Sequence, residues 1–301
     1  MAYLRKTLFK YWQYYLLLIP ALAYIFIFNY MPMYGVQIAF KDFRGNLGIW
    51  GSPLVGLAHF KRFIEFPNFL QIVWNTIAIN LYDLAVGFPM PIILALLLNE
   101  VRSTSYKKVV QMVTYAPYFI STVVVCGMIM LFTNRDMGML NNIRELMGME
   151  RISFMTEAGM FRSIFVLSGV WQSTGWGTII YLAVLSGVSP ELVEAARMDG
   201  ANRLQVIRHV NIPHIIPTVI ILFILRCGSI FNLGFEKVFL LQNPLNLSVS
   251  EVISTYVYRI GLLGAQFSYS TAIGLFNTIC NVILLIAVNK ISAKISETSL
   301  W

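Results

Sequence analysis

The sequence SPELVEAARMDGANRLQVIRHVNIP occupies residues 189–213 and connects two long apolar segments. Ser189 is a favourable N-cap, Pro190 suits the first helical position, and Glu191 complements the positive end of the helix dipole. A helix that begins here should end at Gly200, because glycine readily takes the left-handed conformation that closes a helix. The stretch therefore predicts a short capped helix followed by a turn.

A second helix is predicted directly after that turn. Asn202 and Gln205, three residues apart, have the spacing of a capping box, which marks the start of a helix. This helix should continue through about His209 and run into the next apolar segment at Pro213. The sequence thus predicts two short helices that meet at an angle.

One face of the first helix is apolar and carries small side chains. Leu192, Ala195 and Ala196 lie at positions i, i+3 and i+4, which would allow a partner to approach closely. Glu194 and Arg197 flank this face and could fix the orientation of a partner through charged hydrogen bonds. Two interpretations fit these residues, a helix that docks a partner and an ordinary loop at the membrane interface.

The rest of the chain is rich in hydrocarbon. Of 301 residues, 57% are apolar and only 12% are charged, and the mean hydropathy is +0.69. This composition predicts an all-α integral membrane protein. Spanning roughly 30 Å of hydrocarbon takes about 20 apolar residues in a helix, and six segments qualify. They lie near residues 14–32, 70–98, 109–132, 161–187, 211–234 and 271–289.

The loop at residues 188–210 falls between the fourth and fifth of these segments. The whole chain, residues 1–301, is predicted to be a single transmembrane domain, because neither a linker nor an internal repeat interrupts it. Pro89 and Pro91 predict a kink or a break in the second span.

Charge sets the expected orientation. If the N-terminus, with Arg5, Lys6 and Lys10, is cytoplasmic, basic residues are about twice as dense in the inside segments as in the outside loops, as the positive-inside rule expects. Both termini and the loop 188–210 are then cytoplasmic. The aromatic and glycine-rich stretch 33–69 lies outside, where it is either a docking surface or a lid on the lipid headgroups.

Several classes of site are excluded by the sequence. A net charge of +8 reflects the cytoplasmic bias, because no stretch has the dense basic and aromatic surface of a nucleic-acid site. Neither a disulfide framework nor a metal site is indicated by the spacing of the cysteines and histidines, which are Cys126, Cys227, Cys280, His59, His209 and His214. The sequence shows no catalytic arrangement of Ser, His and Asp beyond what chance would give, so we expect that the chain is not an enzyme.

The loop resembles the signature of a known family. Glu194-Ala195-Ala196, then Gly200, then Val210-Asn211-Ile212-Pro213 is similar to the EAA motif of permease subunits in binding-protein-dependent ABC importers, and the spacing matches throughout. Valine stands at 210 where isoleucine is usual, and isoleucine at 212 where leucine is. The six-span layout extends the resemblance to most of the chain. It implies a cytoplasmic coupling helix that contacts an ATPase through Glu194, Ala195, Ala196, Asp199, Gly200, Ala201 and Pro213.

The N-terminal part resembles carbohydrate permeases, particularly those for oligosaccharides and polysaccharide fragments such as alginate or rhamnogalacturonan pieces. The similar segments are Tyr14–Pro20, Asn29–Gly35 and Phe40–Phe43. The family implies a second homologous permease, two ATPase subunits and an extracytoplasmic solute-binding protein, all at the bacterial inner membrane. The sequence has no phosphate loop of the GxxxxGK[ST] type, so we expect no cofactor on this chain and ATP with Mg on the partner ATPase.

Polar residues within the spans are candidates for the substrate path, because such groups usually face a cavity or each other. The candidates are Asn80, Asp83, Trp171, Gln172, Ser173, Trp176, Arg226, Asn232, Glu236 and Asn277. The resemblance to sugar permeases favours Gln172, Trp176, Asn232 and Glu236. Helix packing is the alternative role for the whole set. Asp83 and Arg226 are candidates to neutralise one another, and Arg226 would suit an acidic sugar.

The cargo and the transport class have alternatives. Peptides, polyamines or metal chelates fit the same importer, because the coupling loop is blind to substrate. A secondary transporter or a membrane-embedded enzyme would instead use Asp83, Arg226 and Glu236 as proton or substrate groups.

Overall fold

The computed structural model describes residues 10–296 and 299–300, so the predicted cytoplasmic residues Arg5 and Lys6 lie outside the described residues. Within these ranges the regular structure is helical, and Lys41 and Leu54 form an isolated antiparallel bridge. The helices are α1 (Trp12–Phe40), α2 (Gly48–Gly51), α3 (Ala58–Ile64), α4 (Phe69–Val86), α5 (Pro89–Asn99), α6 (Thr104–Tyr115), α7 (Thr122–Phe132), α8 (Met139–Leu146), α9 (Ala158–Leu185), α10 (Pro190–Met198), α11 (Arg203–Cys227), α12 (Phe235–Leu241), α13 (Leu247–Ser250), α14 (Ile253–Tyr258) and α15 (Phe267–Ser296).

The described residues contain four helical segments long and apolar enough to cross a membrane. These are α1, α4 with α5, α11 and α15. Two bent pairs raise the number to six if each pair forms one span: α6 with α7, bent by 97°, and α9 with α10, bent by 79°. The predicted class of an all-helical membrane protein is confirmed, with four to six candidate spans.

The third predicted span, 109–132, is not a straight helix. A 3-10 turn, Ala116–Phe119, follows α6 and contains Pro117, which has no N–H to continue the α-helical hydrogen bonds. Ser121 then caps α7, because its Oγ accepts a hydrogen bond from Val124 N at 3.4 Å. These two residues together account for the sharp bend, which the apolar pattern could not reveal.

The fifth predicted span, 211–234, is shifted in the structure, because α11 begins at Arg203 and ends at Cys227. A π-helical turn, Ile207–Asn211, precedes Pro213 and keeps the helix continuous. After Cys227 the chain turns, and Asn281 Oδ1 accepts a hydrogen bond from Phe231 N at 3.0 Å. Residues 228–234 are therefore an ordered turn.

The second predicted span is interrupted where its prolines predicted it. Regular α-helix stops at Val86, and α5 begins with Pro89 at its first position. Gly87 N still donates to Asp83 O at 2.7 Å, and the two helices together still qualify as one span. The interruption is therefore a local break and leaves the direction of the span largely unchanged.

The contacts divide the chain into two compact units. The first contains the described residues up to Phe66 together with Val257–Phe276, and Phe63 is buried there against the rings of Tyr269 and Phe276. The second contains Pro67–Tyr256 and the described residues from Asn277 onward. One apolar cluster in it is centred on buried residues of α4, α7, α9 and α12, and another is centred on buried residues of α5, α9 and α11. The single domain remains a prediction.

Candidate functional site

The loop between α9 and α11 has the two helices that its sequence predicts. Ser189 Oγ accepts a hydrogen bond from Glu191 N at 3.2 Å at the start of α10. Gly200 closes the helix with a φ of +84°, in the left-handed region that glycine enters without strain and that β-branched residues avoid. Ala201 N donates back to Ala196 O at 2.9 Å, which satisfies one of the last carbonyls of the helix.

The predicted capping box at the start of α11 is also present. Asn202 Oδ1 accepts from Gln205 N at 2.9 Å, and Gln205 Oε1 accepts from Asn202 N at 2.7 Å. Both ends of the turn are therefore fixed by hydrogen bonds between near neighbours. The angle between the two helices is set within the loop itself.

The surface of α10 is largely uncovered. Leu192 and Met198 are 60% and 88% exposed, and Glu194 and Arg197 are exposed and form no ion pair with any described residue. A hollow of about 270 Å³ lies between α10 and α11 and is lined by Ala196, Asp199, Gly200, Ala201, Gln205, His209 and Val210. Four of the seven predicted coupling residues thus line this hollow, whereas Glu194 and Ala195 lie on α10 outside its lining and Pro213 lies further along α11.

A second hollow of about 220 Å³ lies on another side of α10. Three arginines contribute to its lining, Arg102, Arg197 and Arg203, together with Glu100. Asn211 Nδ2 donates to Glu100 Oε1 at 3.3 Å. This hollow carries a positive charge next to the helix.

A larger cavity of about 570 Å³ lies among α4, α9, the turn before α7 and the turn after α11. Six of the predicted path residues line it: Asn80, Asp83, Gln172, Ser173, Arg226 and Asn232. Gln172 Nε2 donates to Ile120 O at 2.9 Å, which ties α9 to the break between α6 and α7. We call this space the outer cavity.

An adjoining space of about 350 Å³, the inner cavity, is lined by Trp176 and by residues that include Pro91, Tyr181 and Leu222. On α9 the lining runs from Phe165 in the outer cavity to Tyr181 in the inner one, so the inner cavity lies nearer to α10. The two cavities share four lining residues: Asp83, Tyr118, Ser173 and Arg226.

Two contacts mark the boundary between the cavities. Arg226 forms an ion pair with Asp83, as the sequence suggested. The rings of Tyr118 and Trp176 stack with centroids 4.6 Å apart and planes within 4°, and Phe119 packs edge-on against Trp176 at 5.7 Å. An ion pair and an aromatic stack therefore lie at the boundary between the outer and the inner cavity.

Three predicted path residues do not line either cavity. Trp171 is 48% exposed on α9, and Glu236 is exposed in the first turn of α12. Asn277 Nδ2 donates to Asn232 Oδ1 at 3.0 Å and so holds a lining residue in place. The sequence pattern could not separate a residue that lines the cavity from one that supports it.

Two prominent lining residues, Tyr118 and Lys237, are not among the residues that the sequence predicts for the path. Lys237 directly follows Glu236, which is among them. Its Nζ donates to Phe165 O at 2.8 Å and lies 4.8 Å from the centre of the Phe165 ring. Burial lowers the pKa of Lys237, which lies outside the candidate spans, to about 8. A single lysine among apolar residues in the stretch FEKVFLL was the available signal.

Comparison with known proteins assigns the chain to a family. Residues 87–297 match the family described as binding-protein-dependent transport system inner membrane component. The chain belongs to this family. The permease is therefore a membrane channel subunit of the ABC transporter class, and the predicted resemblance is confirmed.

Named relatives of the permease cover nearly its whole length. It is 45% identical over 287 residues to Protein LplB of Bacillus subtilis (strain 168), covering 95% of this chain and 90% of that protein. It is 42% identical to the polygalacturonan/rhamnogalacturonan transport system permease protein YteP of the same organism, covering 95% and 89%.

A solved structure also resembles the permease. A chain from a bacterial alginate ABC transporter, solved in complex with an alginate pentasaccharide-bound periplasmic protein, aligns with a TM-score of 0.89 and 37% identity over 98% of this chain and 99% of that chain. The similarity therefore extends through both units and includes α10.

Proposed function

We propose that the permease is one of two permease subunits of an ATP-driven importer that moves an oligosaccharide or polysaccharide fragment across the bacterial inner membrane. The observation that carries this proposal is the outer cavity, whose amide, hydroxyl and aromatic lining suits the hydroxyl rims and apolar C–H faces of sugar rings. The names of the relatives support the same class, because YteP is named for polygalacturonan and rhamnogalacturonan and the solved neighbour for alginate.

The substrate path runs from the outer to the inner cavity. Asn80, Gln172 and Asn232 offer hydrogen bonds in the first space, and Trp176 offers a ring face in the second. The Arg226–Asp83 pair and the stack of Tyr118 on Trp176 lie between them. Passage of a sugar requires these two contacts to open, so they are the inner limit of the first space.

The α10 helix couples this path to a separate ATPase. Its exposed Leu192 and small Ala195 would sit in a groove of the ATPase, with Glu194 and Arg197 fixing its orientation. ATP and Mg bind to the ATPase subunits and not to this chain. When two ATPases close on ATP they carry α10 with them and shift the population of the spans toward the outward-open state.

The same proposal sets the topology and the assembly. Each bent pair contributes one span, α6 with α7 as a broken span and α9 without α10 as the other, which gives six spans in a single transmembrane domain with both termini and α10 in the cytoplasm. The partners are a second homologous permease, two ATPase subunits and an extracytoplasmic solute-binding protein. The periplasmic protein in the alginate transporter complex supports the last of these.

Uptake by the reconstituted complex tests this function. The permease is co-purified with its partner subunits, placed in proteoliposomes with the binding protein, and supplied with labelled oligosaccharides that are acidic or neutral. We expect uptake to require ATP inside the vesicles. Glu194→Lys should abolish uptake, although the complex still inserts into the membrane. Glu150→Lys is the matched control, because this exposed carboxylate lies far from α10 in the chain. ATP-independent uptake, or full uptake by Glu194→Lys, would overturn the proposal.

A further inference from the structure

The outer cavity holds a lysine whose charge has no carboxylate partner. Lys237 Nζ donates to the backbone oxygen of Phe165 at 2.8 Å and lies over the same residue's ring. Among the residues that the structure describes, no carboxylate lies within ion-pair distance of this ammonium group. A half-buried ammonium held only by a carbonyl and a ring is unusual, since buried charges are normally paired.

The other charged residues of the cavity leave one positive charge in excess. Asp83 and Arg226 are the remaining charged residues in the lining, and they pair with each other. The charge of Asp83 acts to raise the pKa of Lys237 and so opposes the effect of burial, but Asp83 forms no ion pair with this lysine. Glu236, the neighbour of Lys237 in sequence, is exposed and is not part of the lining. The outer cavity therefore carries one net positive charge, and that charge is at Lys237.

The ammonium group also has free donors and space around it. A lysine ammonium has three N–H donors, and Phe165 O accepts one. On the facing helix a Cβ at Gly169 would come within 3.3 Å of Lys237 Nζ, so the absence of a side chain there leaves room beside the ammonium. Ser173, another lining residue on the same helix, donates from its Oγ to Gly169 O at 2.8 Å, so its side chain is held against α9. With its pKa at about 8, Lys237 is mostly charged at neutral pH.

We propose that Lys237 is the residue that selects acidic oligosaccharides, by binding a sugar carboxylate in the outer cavity. This inference rests on the proposed function and adds to it the charge of the substrate and the group that recognises it. Arg226 is less suited to this role, because Asp83 already compensates its charge while the ion pair is closed. A sugar carboxylate would act as the partner that Lys237 lacks and would accept a charge-assisted hydrogen bond from its ammonium group. A neutral sugar cannot supply this negative charge.

Transport kinetics of matched sugars test the proposal. Uptake by the full reconstituted complex is measured with an oligogalacturonide and with its methyl ester, which removes the negative charge and keeps the ring. Wild type, Lys237→Gln and Lys237→Arg are all measured with the same binding protein. Any preference of the binding protein for the acid or the ester therefore cancels when the KM of a variant is divided by the KM of wild type. We expect Lys237→Gln to raise KM for the acid about tenfold and to leave KM for the ester within twofold, and Lys237→Arg to retain most of the affinity for the acid.

Other outcomes separate the two levels of the proposal. Equal effects of Lys237→Gln on acid and ester, or no effect on either, would overturn the role of Lys237 and leave the importer function standing. Absence of ATP-dependent uptake of any sugar by wild type would overturn the function itself. If Lys237→Gln does not assemble, Gly169→Ala replaces it, because its methyl group crowds the ammonium and keeps the charge. It should raise KM for the acid about threefold and spare the ester, and an unchanged KM for the acid would overturn the inference.

Discussion

The loop around α10 and the outer cavity are built in different ways. In the loop each decisive hydrogen bond joins residues two to five positions apart, as between Ser189 and Glu191 or Asn202 and Gln205. In the cavity they join distant segments, as between Gln172 and Ile120. The Arg226–Asp83 pair spans 143 positions of sequence. A change in the loop should therefore damage one turn, whereas a change in the cavity should disturb several helices at once.

The largest effect is expected at the turn of the loop. Gly200→Val should reduce ATP-dependent uptake by at least tenfold, because a β-branched residue is strained at a φ of +84° and the angle between α10 and α11 would change. Uptake and sugar-stimulated ATPase activity are measured on the same vesicles. Insertion into the membrane should be normal.

Gly200→Asn provides the control for this change. Asparagine tolerates the left-handed conformation, and nothing lies within 4 Å of a Cβ at this position, so uptake should stay within about threefold of wild type. An equal loss of uptake in Gly200→Val and Gly200→Asn would show that no side chain is tolerated at this position, whatever its ability to adopt a positive φ.

The next effect is expected at the ion pair of the cavity. Arg226→Met leaves Asp83 without its partner, and the side chain of Asp83 is only 19% exposed. We expect a coupling energy of roughly 1 kcal/mol, below that of a fully buried pair because Arg226 is half-exposed. A double-mutant cycle with Asp83→Asn, followed by thermal unfolding of the purified complex, measures it. Additive losses would mean that the pair contributes nothing as a pair.

A smaller effect is expected at the aromatic stack. Trp176→Ala removes the ring that lies against Tyr118, a contact worth roughly 0.5–1.5 kcal/mol beyond the area it buries. We expect sugar uptake to change about threefold at subsaturating substrate, and Trp176→Phe to preserve most of it because a ring remains. Identical rates in the alanine and phenylalanine variants would argue that the stack has no part in the path.

The smallest effect on uptake is expected at the capping box. Asn202→Ala removes one of the two reciprocal hydrogen bonds and should destabilise the first turn of α11 by about 1 kcal/mol. Hydrogen exchange of residues 202–206 should accelerate several-fold, with the cavity helices unaffected. Faster exchange at Asp83 or Gln172 would show that the loop and the cavity are not independent.

The contrast between short-range contacts in the loop and long-range contacts in the cavity explains what the sequence could and could not predict. Caps and glycine turns act over a few residues, so α10, its end at Gly200 and the box at Asn202 were predicted closely. The bend between α6 and α7 depends on Pro117 and the Ser121 cap inside an apolar run, and the turn after α11 is held by Asn281 from a distant segment; the apolar pattern is blind to both. Glu236 and Lys237 were separated only by the direction in which α12 presents each side chain, which no spacing rule supplies.

The continuity of α11 has a mechanical consequence. The π-helical turn carries the helix past Pro213 without a break, so one rod of roughly 35 Å joins Arg203, beside the Gly200 turn, to Arg226 at the boundary of the two cavities. A tilt imposed at one end of a continuous helix becomes a sideways displacement at the other, less whatever bending at Pro217 and the π-helical turn absorbs. The guanidinium group of Arg226 would then swing against Asp83 on a different helix, and α11 would serve as a lever from the loop to the ion pair.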